Sequence, residues 1–174
     1  MKKSSELIIL GLDPGTQFVG FASLMIGIHG DYKVLGHGVL VPEHPEQAVA
    51  QRIFELGQAF RQILEKYQPH DVVIEKSFFH KNADTAFKLG QSRGVFMYEA
   101  LQFGAQIAEY ATRVVKKSVT GTGGADKQMV DQALRNLLPI SAFHTYDASD
   151  AMALAYHHSL ELKKSALLAQ AVRA

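Results

Sequence analysis

Hydrophobic and polar positions alternate with two different periods along this chain, and the change of period marks its elements. Segments 6–12, 18–28 and 33–41 are short, apolar and rich in β-branched residues, which predicts three strands. Asp13-Pro14-Gly15-Thr16 holds the first turn and residues 27–31 the second. Links this short permit only antiparallel pairing. From Pro45 the spacing becomes helical: Val49, Ile53, Leu56, Phe60, Ile63, Leu64 and Tyr67 recur at steps of three and four, until Pro69 stops the helix. Residues 71–75 form a short apolar run after a turn signal, a buried strand by length and β-branching. Asn82 is an N-cap for a helix to about Phe103. Residues 106–110 read as a fifth strand and Gly121–Gly124 as a flexible loop. Residues 125–138 predict a helix with Met129, Ala133, Leu134, Leu137 and Leu138 inward, and Asp147 begins a last, Ala-rich helix. The order β-β-β-α-β-α-β-α-α predicts an α/β fold. Its five-stranded mixed sheet has an antiparallel meander first, βα units after, and helices on both faces.

At 174 residues and 47% hydrophobic content the chain is long and apolar enough for one packed domain. We expect the folded unit in residues 1–160 and a helical or flexible tail in 161–174. The longest early apolar run, residues 7–12, is closed by Asp13 and Pro14. It falls far short of the roughly 20 residues a membrane helix needs and of a secretory core segment, although Lys2 and Lys3 faintly imitate a signal's charged start. The expectation is a cytoplasmic protein. The absence of cysteine excludes disulfides, zinc–thiolate sites and a cysteine nucleophile. Net charge is only +1, but its distribution is uneven. Lys76, Lys81, Lys88 and Arg93 oppose Asp84 alone, and Arg113, Lys116, Lys117 and Lys127 oppose Asp126 alone. Residues 43–71 lean acidic. Such polarity suits an anionic partner, and it also arises by chance in a chain of this size.

Four acids stand at the ends of elements. Asp13 follows the first apolar strand, Glu75 follows Val72–Ile74, and Asp147 and Asp150 open an otherwise apolar helix. Positions i and i+3 on a helix lie about 5–6 Å apart at Cβ, and two carboxylates that close repel unless a cation lies between them. Strand ends and a helix start can converge at one edge of an α/β sheet, where ligand sites gather. Each acid also has a plain structural role open to it. Asp13 suits a turn, Asp147 an N-cap, and Glu75 an ion pair with Lys76 or Lys81. Together they favour a divalent-metal site, and oxygen-only ligands point to Mg²⁺ or Mn²⁺ rather than zinc. His144, His157 and His158 are further candidates as ligands or proton carriers. His157 sits about 10 Å along the helix from Asp150 and is a poor ligand for the same ion. His144 is better placed, with an ordinary surface histidine as the alternative.

At these residues the chain resembles the bacterial RuvC family of Holliday junction resolvases. The matching segments are Gly11-Leu-Asp-Pro-Gly-Thr16 with Gly20, Val73-Ile-Glu-Lys-Ser-Phe-Phe-His-Lys-Asn-Ala-Asp84 and Lys88-Leu-Gly-Gln-Ser-Arg-Gly94. They continue with Val115-Lys-Lys-Ser-Val-Thr-Gly-Thr-Gly-Gly-Ala-Asp-Lys127 and Asp147-Ala-Ser-Asp-Ala-Met-Ala-Leu154. They run in order from about residue 7 to 158. The resemblance implies an RNase H-like fold and a homodimeric, Mg²⁺-dependent endonuclease of DNA recombination and repair. Such an enzyme nicks opposed strands of four-way junction DNA and works with the branch-migration complex RuvA–RuvB. It implies that Asp13, Glu75, Asp147 and Asp150 bind metal and are catalytic. Phe78 would be an aromatic near the junction centre, and Lys116 and Lys127 functional lysines. Phe79, Lys81, Lys88, Arg93 and Lys117 join the DNA-binding set.

The reaction implied is phosphodiester hydrolysis with two metal ions per site (Mn²⁺ as an alternative to Mg²⁺), Asp13 between them, and 5′-phosphate products. Three other readings remain. An ATP-binding protein of the actin and hexokinase type would share the fold, but it needs a second domain and a second phosphate loop. A nuclease acting on ribosomal RNA precursors would not carry the Phe-rich segment after Glu75. A non-catalytic junction-binding module would not need all four acids. The helix from Asn82 presents Ala86, Gly90 and Gly94 at spacing four, a small-residue face suited to a dimer contact or to packing on its own sheet.

Overall fold

The structure is a computed structural model and describes residues 6–76 and 82–171. Its five strands are β1 (Leu7–Asp13), β2 (Val19–Ile26), β3 (Tyr32–Leu40), β4 (Asp71–Glu75) and β5 (Gln106–Tyr110). They form one sheet in the order β3-β2-β1-β4-β5. The first three make an antiparallel meander, and β4 and β5 continue from β1 in parallel. The helices are α1 (Val49–Tyr67), α2 (Ala83–Phe103), α3 (Thr112–Thr120), α4 (Lys127–Leu137) and α5 (Tyr146–Ala171).

Strand alternation sorts the core into two layers. Leu10, Leu12, Val72 and Ile74 pack with Leu56, Phe60 and Leu64 of α1 and Phe96 and Ala100 of α2. Ile9, Val73, Ala22 and Leu24 face the other way, against Val115, Val119, Val130, Leu134 and the first half of α5. Burying each large apolar side chain contributes roughly 1.5–3 kcal/mol, so both layers hold the sheet firmly. α5 approaches most closely. A Cβ on Gly11 would lie 1.9 Å from the Ala151 carbonyl oxygen, and one on Gly20 would lie 2.1 Å from that of Asp147. Only glycine lets the helix backbone rest on the β1–β2 pair at these points. From Ala148 to Ser159 the helix is buried except at Asp150, and it is exposed from Lys164 onward.

Several expectations are corrected. The helix expected to open at Pro45 begins at Val49, because Arg52 draws the carbonyls of Pro45 and Gln47 into side-chain hydrogen bonds (3.3 and 2.8 Å) and keeps that segment a turn. The element order missed α3, a nine-residue helix whose only buried stripe is Val115 and Val119. In α4, Leu134, Leu138 at the cap and, in part, Ala133 face inward as expected, but Val130 joins them and Met129 and Leu137 are exposed. Asn82 does cap α2, accepting from the Asp84 and Thr85 amides at 2.9 and 3.3 Å. Among the described residues no helix is long and apolar enough to cross a membrane.

Candidate active site

The parallel register of β1 and β4 pairs Leu12 with Ile74, which sets the next residues, Asp13 and Glu75, side by side at the carboxyl ends of their strands. Alternation turns both toward α5, since Gly11 and Val73 two residues earlier face that helix. The close seat of α5 on Gly11 and Gly20 then brings its first turn over the same edge. Thr145 caps that turn, its hydroxyl accepting from the Ala148 amide at 3.2 Å. Asp147 is therefore not the cap, and its carboxylate is free to face Asp13.

Asp13, Asp147 and Asp150 each place one carboxylate oxygen within 4.8 Å of the others. Asp13 and Asp150 line a cleft of about 290 Å³ together with Glu75, Thr112, Lys116 and Lys127, and Asp147 stands beside them through the trio. Glu75 stands beside this trio, and its Oε1 accepts a hydrogen bond from the Thr112 hydroxyl. Lys127 Nζ bridges Asp147 Oδ1 at 3.4 Å and Asp150 Oδ2 at 3.2 Å. Lys116 reaches the cleft one turn beyond Thr112 and donates to the Ala125 carbonyl at 2.7 Å.

The electrostatics are those of crowded, half-buried acids. Burial, then the charges of Glu75, Asp150 and Asp147, push the Asp13 carboxyl up to about 8, against a smaller opposing pull from Lys127. Burial also raises Asp150, although Lys127 and Lys116 pull it down. Burial works to lower the Lys127 ammonium, but Asp150 and Asp147 outweigh it, so Lys127 stays protonated more firmly than usual. The three close oxygens and the reluctant ionisation of Asp13 both fit a divalent cation. An all-carboxylate donor set suits a hard ion, and such an ion lowers the cost of ionising every acid around it.

The remaining predicted residues scatter. Lys117 lies on the other side of α3, in a groove with Arg113, Val114 and Lys164. Lys88 pairs with Asp84 at 2.5 Å on exposed surface, and Arg93 is held by Glu109. Phe78, Phe79 and Lys81 lie outside the described residues. His144 approaches the His37 ring, with centroids 6.0 Å apart, rather than the acid trio. His157 and His158 are buried, bonded to the Ser118 and Tyr110 hydroxyls at 3.0 and 2.7 Å, which removes them from both the surface and the metal. Sequence reasoning missed Thr112. The available signal was a hydroxyl residue just past Tyr110, the β5 residue opposite Glu75.

A mixed sheet of this order, with carboxylates gathered where the central parallel strands end, defines an RNase H-like α/β protein with the acid cluster of a metal-dependent nuclease. A family model described as crossover junction endodeoxyribonuclease RuvC matches residues 9–158. The chain is 50% identical over 167 residues to a protein of Bdellovibrio bacteriovorus described as crossover junction endodeoxyribonuclease RuvC, covering 96% of this chain and 98% of that one. It is 40% identical over 157 residues to a protein of the same description from Protochlamydia amoebophila, covering 90% and 92%. The chain belongs to the RuvC family. A solved structure of T. thermophilus RuvC in complex with a Holliday junction substrate superposes with a TM-score of 0.83 over 91% of this chain and 96% of that one. At 23% identity, that likeness speaks for the fold.

Proposed function

We propose that this protein resolves four-way DNA junctions by metal-dependent hydrolysis, cutting two opposed strands symmetrically as a homodimer. The observation that carries the reading is the meeting of Asp13, Asp147 and Asp150 at the sheet's carboxyl edge, beside a cleft that Asp13 and Asp150 line together with Glu75. Mg²⁺ is the proposed cofactor, two ions per site, with Mn²⁺ as a substitute. Asp13, Glu75, Asp147 and Asp150 are the residues that would hold it. When bound, the metal supplies an activated water and charge neutralisation for an in-line displacement at phosphorus. The chain's own residues do the rest. Asp13 is central, flanked by Glu75 from the neighbouring strand and by the two acids of α5. Lys116 and Lys127 offset negative charge on the phosphate as it grows in the transition state. Phe78, Phe79, Lys81, Lys88, Arg93 and Lys117 are proposed DNA contacts beyond the cleft.

The dimer reading draws on α2. Phe87, Gly90, Gly94, Tyr98 and Leu101 share the side of that helix opposite Phe96 and Ala100. Phe87, Tyr98 and Leu101 are 68%, 59% and 61% exposed, and among the described residues nothing lies within 4 Å of a Cβ built on Gly90 or Gly94. A two-fold dimer offers one site to each of the two strands to be cut. The proposed nuclease unit spans residues 1–160, with 161–174 as a tail, and burial along α5 supports that division because it ends at Ser159. Action beside the RuvA–RuvB branch-migration complex in the cytoplasm completes the proposal. The test is incubation with a synthetic four-way junction and a linear duplex of the same sequence, with Mg²⁺ or EDTA. Paired nicks in the junction alone, and only with metal, are expected; equal cutting of the duplex or cutting in EDTA would refute the reading.

A further inference from the structure

The hydrogen bond between Thr112 and Glu75 joins α3 to the cleft. Glu75 and Tyr110 are opposite one another at the ends of β4 and β5, and the Lys76 amide donates to the Tyr110 carbonyl at 2.8 Å. The chain then turns into α3, which carries Thr112 in its first turn, beside the end of β4. A threonine at a helix start usually spends its hydroxyl on capping the backbone. Here it does not. The Val114 and Val115 amides are taken by the Ala111 carbonyl at 2.9 and 3.2 Å, the N-cap makes no side-chain bond, and the Thr112 hydroxyl donates to Glu75 Oε1. Among the described residues the Glu75 carboxylate has no other hydrogen-bond partner, and it lies outside the trio whose oxygens already gather within 4.8 Å. Glu75 is thus the one acid of the four whose orientation is set by a single hydroxyl.

We infer that Thr112 is a positioning residue for Glu75, occupying Oε1 so that the carboxylate presents its second oxygen to a divalent cation in the cleft. This rests on the metal-site reading of the cleft given above. Partners that orient ligating carboxylates in this way typically change metal affinity by about 10–100-fold when removed. The bond is exposed, and α3 is held to the core by Val115 and Val119, so removing the hydroxyl leaves the fold in place.

The test is calorimetric titration of Mn²⁺ into the full-length protein without DNA, together with the Mn²⁺ dependence of junction cleavage. Thr112→Val is expected to raise the half-saturating Mn²⁺ concentration about 10–100-fold in both measurements, with the melting temperature in EDTA close to wild type. Thr112→Ser, which keeps the hydroxyl, is expected to restore most of the affinity. Combined with Glu75→Ala, Thr112→Val should add no further loss. Wild-type affinity in Thr112→Val, or an undiminished loss in the Glu75→Ala background, would overturn the inference while leaving the cleft's metal site standing. A wild-type protein that binds no Mn²⁺ would overturn the metal-site reading and this inference with it.

Discussion

Glycine has opposite consequences on the two faces of the sheet. On the α5 face, Gly11 and Gly20 exist so that backbone can touch backbone: an added methyl at either would collide with a carbonyl of α5. On the outer side of α2, Gly90 and Gly94 meet nothing among the described residues, and Phe87, Tyr98 and Leu101 stand exposed around them. The first pair closes the fold around its acids, and the second leaves a smooth apolar strip available to another molecule. A missing side chain therefore positions chemistry in one place and offers a surface in the other, and only the three-dimensional surroundings tell the two uses apart.

The largest effect expected from disturbing this contrast is on catalysis. Asp13→Asn should reduce junction cleavage to background while preserving junction binding, because removing negative charge from a phosphate-facing site does not weaken affinity for DNA. Gel-shift and cleavage assays on the same protein separate the two, and near-wild-type cutting would sever the acids from the function. Next comes Gly11→Val, which forces α5 off β1. Overpacking at a backbone contact should cost about 3 kcal/mol or more, lowering the melting temperature by roughly 10 °C in a chain of this length. An unchanged melting temperature would mean that α5 is not seated as described.

A pH-dependent effect concerns the charge trapped beneath α5. Asp13 titrates at about 8 in the folded protein, well above the ordinary carboxylate range. A raised carboxyl favours the folded state while it is protonated, so its contribution is complete below about pH 4 and is lost as pH rises toward 8. In EDTA, wild type should lose stability between pH 5 and 8 more steeply than Asp13→Asn does. The variant should be the more stable at pH 8 by on the order of 5 kcal/mol. Parallel pH profiles for the two proteins would count against the crowded-acid account. The smallest effect belongs to the open strip. Gly94→Ala should keep or raise stability by about 0.5–1 kcal/mol, as alanine does in an exposed helix, while weakening self-association in sedimentation equilibrium. A destabilisation as large as that of Gly11→Val would erase the distinction between the faces.

The parts legible in the sequence were those whose cause is local. The runs ending at Asp13 and Glu75 declare buried strands by composition, and Asn82 declares a helix start by its side chain. α3 was not legible because Thr112, Val114, Val115 and Val119 are β-branched and only two residues make its buried stripe. The inward face of α4 was misjudged in part because Met129 and Leu137 are apolar yet stay exposed, while Val130 alone precedes Leu134 in the core. The acids were legible as a set through their positions at element ends. Their convergence depends on Gly11 lying against Ala151, and the bond from Thr112 depends on β5 ending opposite Glu75. Both are long-range facts that no local pattern records.

Carboxylates from two neighbouring strands and one helix are proposed to form a single divalent-metal site. Anomalous diffraction from crystals of the wild-type protein soaked in Mn²⁺ tests it most directly. A peak beside the cleft, bonded to Asp13 together with Asp147 or Asp150, is expected in wild type and should vanish in Asp13→Asn; no peak, or one unaffected by that substitution, would show that the acids do not form a metal site.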